Sequence, residues 1–227
     1  ATGSFDNGRL TIDWESRFVA LRPGMKGAFD SDGVSGSDVE VNTDGSITLY
    51  YFGWQRLEDS SWLNGIGVAR GPIGDELERV STGPILSRDI EDPFSVAYPF
   101  LSRTSDGELL YSTFLEYADP RITQSFKYAV KKSSISSTTW RLEDRSQIAL
   151  EEVLGASAYS RPTIFRHENR EVLLCSVRGL KYEIRGWVMG DIGWERRGCY
   201  DGYPLRGPSS YESTCYQFPF FRDEDCF

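Results

Sequence analysis

The sequence predicts an all-β protein, a β-propeller of four-stranded blades, and three observations carry that expectation. Aromatic residues make up 14% of the chain and 22 glycines punctuate it, a composition suited to many short strands and tight turns. One order of segments recurs three times along the chain. No amphipathic helical pattern of useful length competes, since "SRDIEDPF" and "IALEEVLGA" are the best pieces and both read as short connectors.

The first unit runs "SGSDVEVNTDGSITLYYFGW" (35–54), "NGIGVARGP" (64–72) and "LERVSTGPIL" (77–86). The second runs "SVAYPFLSRTSDGELLYSTFLEY" (95–117), "QSFKYAVKKS" (124–133) and "TTWRLEDRSQIAL" (138–150). The third runs "YSRPTIFRHENREVLLCSV" (159–177), "KYEIRGWVMG" (181–190) and "GWERRGCY" (193–200). Each opens on a short apolar segment followed by a polar turn: Asp44-Gly45, Asp106-Gly107 or Glu168-Asn169. A β-branched or aromatic strand comes next, then an alternating strand, then one carrying Trp or charged residues. Asp-Gly between apolar runs is a strong hairpin signal.

Pro99 to Pro162 spans 162 − 99 = 63 positions, and Pro162 to Pro219 spans 219 − 162 = 57. A four-stranded sheet recurring about every 60 residues cannot bury both faces alone, so the units must stack. The expected organisation is one domain over 1–227, with full units at about 33–86, 95–150 and 158–200. Partial units are expected at 4–24, where Asn7-Gly8 marks a turn, and at 211–227. The two partial units would complete one blade if the ends met, which removes an exposed sheet edge. They fit equally as broken blades of a longer chain. A β-sandwich explains the strand count but not the repeated order.

Charge narrows the partners. With 25 Lys and Arg against 34 Asp and Glu, the net charge of −9 argues against nucleic acid or an anionic membrane, which require basic surfaces. A sugar or polyol is compatible with it. No stretch of about 18 apolar residues offers a transmembrane helix. Nothing at the start resembles a secretory leader, which favours a cytoplasmic protein, although a trimmed secreted chain would look the same. Of the four cysteines, Cys175 in "EVLLCSV" reads as a buried thiol; Cys199, Cys215 and Cys226 could pair only in an oxidising compartment. His167 is the only histidine and is expected at a hairpin tip, so a Ser-His-Asp triad or a multi-His zinc site has nothing to build on.

In a propeller the first strand of each blade lines the axis, and the residues before it converge on one mouth of the channel. These lead-ins are "GAFDSDGVSGS" (27–37), "RDIEDPFSVAYP" (88–99), "EEVLGASAYSRP" (151–162) and "YESTCYQFP" (211–219). Three bring an acid: Asp30 or Asp32, Glu91 or Asp92, and Glu212. The fourth brings Arg161. Carboxylates gathered at one pocket suit glycosidic bond chemistry, in which one acid protonates the leaving oxygen and another activates water or attacks the sugar. A third can tune the pair through like-charge repulsion. Arg161 could hold a hydroxyl, a carboxylate or a phosphate. The competing explanation is that Asp and Glu merely cap turns ahead of strands.

The ordered set "AFDSDGV", "YYFGW", "NGIGVARG", "DPFSVAYPFL", "YSRPTIF" and "YESTCYQFPF" resembles the five-bladed β-propeller superfamily of glycoside hydrolase families 43, 32 and 68. The nearest likeness is to a poorly characterised branch found among bacterial polysaccharide genes. It covers about residues 25–221. The resemblance implies Asp32 as base or nucleophile, Asp92 as a carboxylate flanking the sugar, and Glu212 as general acid. It implies Arg161, Trp54, Asn64, Tyr98 and Asp30 as substrate-binding residues, with Trp54 offering a face on which a sugar can stack. The implied substrate is an oligosaccharide or polysaccharide, and no cofactor is expected. A channel metal ion, as some relatives hold, would need carboxylate or carbonyl ligands that the sequence does not single out.

The resemblance departs where "GSDV" replaces a small-Pro step and where the half blade before and the strands after that relatives carry are not seen. The expectation is closure with fewer blades, strands supplied by a neighbouring copy through the terminal units, or a truncated copy. Two readings follow: a glycoside hydrolase, or a carbohydrate-binding or interaction propeller without catalysis.

Overall fold

The computed structural model describes residues 2–6, 9–58, 62–105, 107–117, 126–150, 153, 156–179, 182–199, 221–222 and 225–226. Three antiparallel meanders of four strands dominate it. Blade I comprises β3 (Gly33–Val41), β4 (Ser46–Arg56), β5 (Trp62–Pro72) and β6 (Glu78–Arg79), paired in chain order. It follows a hairpin of β1 (Thr2–Asp6) and β2 (Arg9–Asp13). Blade II comprises β7 (Ser95–Leu101), β8 (Glu108–Tyr117), β9 (Phe126–Ile135) and β10 (Leu142–Gln147). Blade III comprises β11 (Ala158–His167), β12 (Arg170–Arg178), β13 (Tyr182–Gly190) and β14 (Gly193–Cys199). The last two blades touch through a parallel bridge between β11 and β9, Ala158 to Tyr128. β15 (Phe221–Arg222) and β16 (Asp225–Cys226) pair with each other. Among the described residues no strand of the first hairpin pairs with the last.

Turn chemistry accounts for the hairpins. Asp44 folds its carboxylate back to accept from the Ser46 amide at 3.0 Å and hydroxyl at 2.6 Å, which closes the β3–β4 turn. Glu168 and Asn169 both take positive φ, 47° and 61°, the two-residue geometry whose twist matches antiparallel strands. His167 ends β11 at that tip and is exposed.

The core lies between sheets. Tyr50 and Val68 of blade I pack on Leu101, Leu109 and Ile135 of blade II, beside Ile66 and Leu86 against Val96 and Tyr111. Leu110, Val130 and Ile148 of blade II meet Ile164, Leu173, Cys175, Val177 and Trp187 of blade III. Cys175 is a fully buried free thiol. The outer face of blade I is covered by the segment before it, where Ala20, Leu21 and Phe29 pack on Tyr51, Ala69 and Leu77. Burying such side chains is worth about 1.5–3 kcal/mol each, so these seams hold the sheets together. A polar bolt joins blades I and II. Asp38 accepts from the Leu101 amide at 2.9 Å and pairs with Arg103 at 3.1 Å.

Candidate active site

Each blade's innermost strand carries a bulge at the same place. The ladder slips between Gly36 and Asp38 in β3, between Ala97 and Phe100 in β7, and between Ser160 and Thr163 in β11. In β7 and β11 the bulged residue is followed by proline and sits in the left-handed region, at φ 56° for Tyr98 and 53° for Arg161. That conformation is unusual for a non-glycine residue and further disfavoured before proline. Bulges re-aim side chains, and here they bring two sequence-predicted residues together. The Arg161 guanidinium lies over the Tyr98 ring, 4.3 Å from its centroid, and Nη2 donates to the Tyr98 hydroxyl at 3.3 Å.

From Tyr98 a line of rings runs across blade I. Phe52 meets Tyr98 edge-on at 4.8 Å, Trp54 lies 6.0 Å from Phe52, and Trp62 meets Trp54 edge-on at 6.1 Å. The register explains the row. Phe52 is opposite Ile66, Trp54 opposite Asn64 and Arg56 opposite Trp62, so all six share the sheet face that looks toward blade II. The row begins at buried Ile66 and ends at Trp62, which is half exposed. Gly33, opposite Trp54, makes room for it, since a Cβ there would collide with the indole. The Asn64 amide is half-buried beside Trp54.

Asp32 is fastened to the end of this row. Its amide donates to the Trp54 carbonyl at 3.1 Å, and its Oδ2 accepts from the Arg56 amide at 2.7 Å. The residue is exposed.

Asp30 and Asp92 occupy different surroundings. Both are fully buried. Asp30 Oδ2 accepts from the Tyr51 hydroxyl at 3.0 Å and from Arg79 Nε at 2.8 Å. Gly53 admits it, since a Cβ at that position would strike the Asp30 side chain. Asp92 Oδ2 accepts from the Tyr111 hydroxyl and from Arg145, each at 3.0 Å. Lys131 Nζ stands 2.9 Å from Oδ1, an ion pair without hydrogen-bond alignment. The arrangement therefore repeats: an acid before the first strand, a tyrosine in the second and an arginine in the fourth.

Burial, followed by the neighbouring carboxylate, pushes the Tyr51 and Tyr111 phenols above their ordinary range, so both stay hydrogen-bond donors. Burial alone would pull Arg145 down. The hydrogen bond and charge of Asp89, with the charge of Glu91, outweigh it and hold the guanidinium above its usual value. Glu91 itself is exposed and pairs with Arg145 at 3.2 Å.

Of the residues expected from the sequence, Asp32, Trp54, Asn64, Tyr98 and Arg161 belong to one continuous arrangement. Asp30 and Asp92 are each enclosed within a blade. Glu212 lies outside the described residues. Sequence reasoning missed Phe52, Arg56 and Trp62, although the alternation 52, 54, 56 across "FGWQR" placed them on Trp54's face. It also missed the cations Arg79, Lys131 and Arg145, which sit in ordinary-looking polar strands far from their acids.

No family model matches the chain. Two uncharacterized proteins of Mycobacterium tuberculosis, MT1551 and Rv1502, are each 31% identical to it over 207 residues, 88% of this chain and 66% of their own length. The chain thus spans just under two thirds of those relatives. Among solved structures, a thermostable family-43 glycoside hydrolase superposes with a TM-score of 0.52 at 15% identity, over 74% of this chain and 54% of that one. The alpha-L-arabinofuranosidase of Lactobacillus brevis gives 0.55 at 10% identity, over 78% and 57%. The Bombyx mori GH32 beta-fructofuranosidase BmSUC1 gives 0.52 at 14% identity, over 80% and 38%. At such identities the likeness speaks for the fold. The chain is a β-propeller of four-stranded blades, with the fold of the family 43 and family 32 glycoside hydrolases.

Proposed function

We propose that the protein is a glycoside hydrolase of the uncharacterised branch suggested by its lead-in motifs, acting at the mouth formed by Asp32, Trp54, Asn64, Tyr98 and Arg161. The carrying observation is the position of Asp32: a carboxylate on an exposed residue, held by one backbone bond to Oδ2 at the end of an aromatic row. In this reading Trp54 stacks on the apolar face of a sugar, and Asn64 and Arg161 bond its hydroxyls. Asp32 serves as base or nucleophile, and Glu212 donates the proton to the leaving oxygen. A carboxyl separation of about 6.5–9.5 Å between the two would give inversion, and about 5 Å retention.

We assign Asp92, with Asp30, to holding together the strands of its own blade rather than to proton transfer. A buried carboxylate committed to two cations and a phenol has no open oxygen for a sugar.

Incubation with a panel of oligosaccharides, read by mass spectrometry, tests the reading. Cleavage by the native protein, lost in Asp32→Asn and Glu212→Gln while both still bind, supports it. Binding without cleavage by the native protein would show instead a carbohydrate-binding propeller. Cleavage undiminished in both variants overturns the assignment.

A further inference from the structure

We propose that Arg56 and Trp62 form an outer subsite for an acidic sugar unit, one bearing a carboxylate, adjoining the sugar held over Trp54. This rests on the carbohydrate reading above. The two residues face each other across the β4–β5 ladder and lie on the same sheet face as Trp54 and Asn64, one pair further toward solvent. The row therefore continues past the sugar position, rather than ending there. Trp62 is 50% exposed beside Trp54, so part of its ring is open to a ligand. It meets Trp54 at an interplanar angle of 68°, so the two indoles form a corner rather than a flat shelf. Successive sugars in a glycan turn relative to one another, and a corner can offer each an apolar face.

Arg56 supplies the charge. Its guanidinium lies 4.9 Å from the centre of the Trp62 ring. Stacking engages the flat face of the guanidinium and leaves its N–H groups around the rim, in the fork geometry that matches a carboxylate. No carboxylate among the described residues lies within ion-pair distance of it, Asp32 being bound by the Arg56 amide instead. On a chain of net charge −9 an acidic glycan meets general repulsion, so an exposed cation beside the sugar site decides whether one can dock.

The test uses matched disaccharides, one carrying a terminal glucuronate or galacturonate and the other its carboxyl-reduced glucose or galactose counterpart. Tryptophan fluorescence and calorimetry follow binding to the full chain. The native protein is expected to bind the acidic member at least about tenfold more tightly, the worth of one charge-assisted hydrogen bond. Arg56→Gln should erase that preference without weakening the neutral member, Arg56→Lys should retain part of it, and Trp62→Ala should weaken both. Equal affinity for the two members in the native protein, or a preference that survives Arg56→Gln, overturns the subsite. If neutral members bind and lose affinity in Trp54→Ala while no acid preference exists, the subsite fails and the carbohydrate reading stands. If no member of any pair binds, both fail.

Discussion

Tyr98 and Arg161 stand 63 positions apart in the sequence and touch in the fold, with the guanidinium 4.3 Å over the phenol ring. Each occupies the bulge of its blade's innermost strand, precedes a proline and takes a left-handed backbone. Such a backbone costs roughly 1–3 kcal/mol at each position, and it persists only where the surroundings enforce it. Phe52 packs edge-on against Tyr98 and the flanking ladders hold both strands, so the two strained residues bridge blades II and III.

Arg161→Lys keeps the charge but loses the planar fork and its stacking on Tyr98. Turnover of whichever saccharide the panel identifies should fall about 10–100-fold in kcat/KM. Thermal stability should move by only a few degrees, and Tyr98→Phe, which keeps the ring, should do much less. Equal activity of Arg161→Lys and native protein would remove Arg161 from the site.

The buried carboxylates should dominate stability. Removing one partner of a buried ion pair leaves an uncompensated charge and costs about 3–5 kcal/mol. Arg79→Ala and Arg145→Ala should therefore destabilise the protein severely in urea unfolding. Tyr51→Phe, which gives up one hydrogen bond, should cost nearer 1 kcal/mol. Arg145→Ala should be the milder of the two arginine losses, because Lys131 still faces Asp92.

Two acids should pull stability in opposite directions with pH. Burial raises Asp38 above the ordinary 3.8, more than Arg103 and the backbone donors lower it. The folded state then holds that proton more tightly than the unfolded one. Its contribution is greatest at low pH and is lost as pH rises from about 3.8 through the folded value. For Asp89 burial is the largest influence and acts upward, but the Arg145 hydrogen bond and the backbone donors of Asp92 and Glu91 together outweigh it and lower the group. Its contribution is present above 3.8 and is lost as pH falls. The stability difference between native protein and Asp38→Asn should shrink with rising pH across the acid range, and that for Asp89→Asn should grow. Parallel slopes in urea titrations from pH 3 to 6 would contradict this pair of assignments.

Cys175 should report global opening. It is wholly enclosed, and burial pushes its thiol well up. Alkylation at this position, followed by peptide mapping, should be undetectable in the native protein and should rise with denaturant in step with unfolding. Rapid labelling under native conditions would show that the seam between blades II and III opens by itself.

The strand plan was legible because turns and alternation speak locally. Glu168-Asn169 predicted the hairpin that carries His167, and the prolines at 99 and 162 marked equivalent innermost strands. Their physical meaning was not legible, since a left-handed residue before proline is a bulge imposed by neighbours, not a propensity. The acids illustrate the same limit. Asp30, Asp32 and Asp92 look alike in a sequence, all just ahead of a strand. What separates them is a partner about fifty positions later, Arg79 for Asp30 and Arg145 for Asp92, and no local pattern announces that distance. Trp62 was passed over for another reason: it precedes the segment read as a strand, "NGIGVARGP", and only the ladder shows it at the open end of a row.

The acid–tyrosine–arginine arrangement also bears on how such a chain assembles. Asp30 and Arg79, or Asp92 and Arg145, bracket one sheet from the approach to its first strand to its last. Each of these clasps can form only when its own four strands have come together, and neither borrows a residue from the other blade. A ribosome releasing this chain would expose one finished clasp after another, so the first two blades carry their own checks of completion before any neighbour arrives.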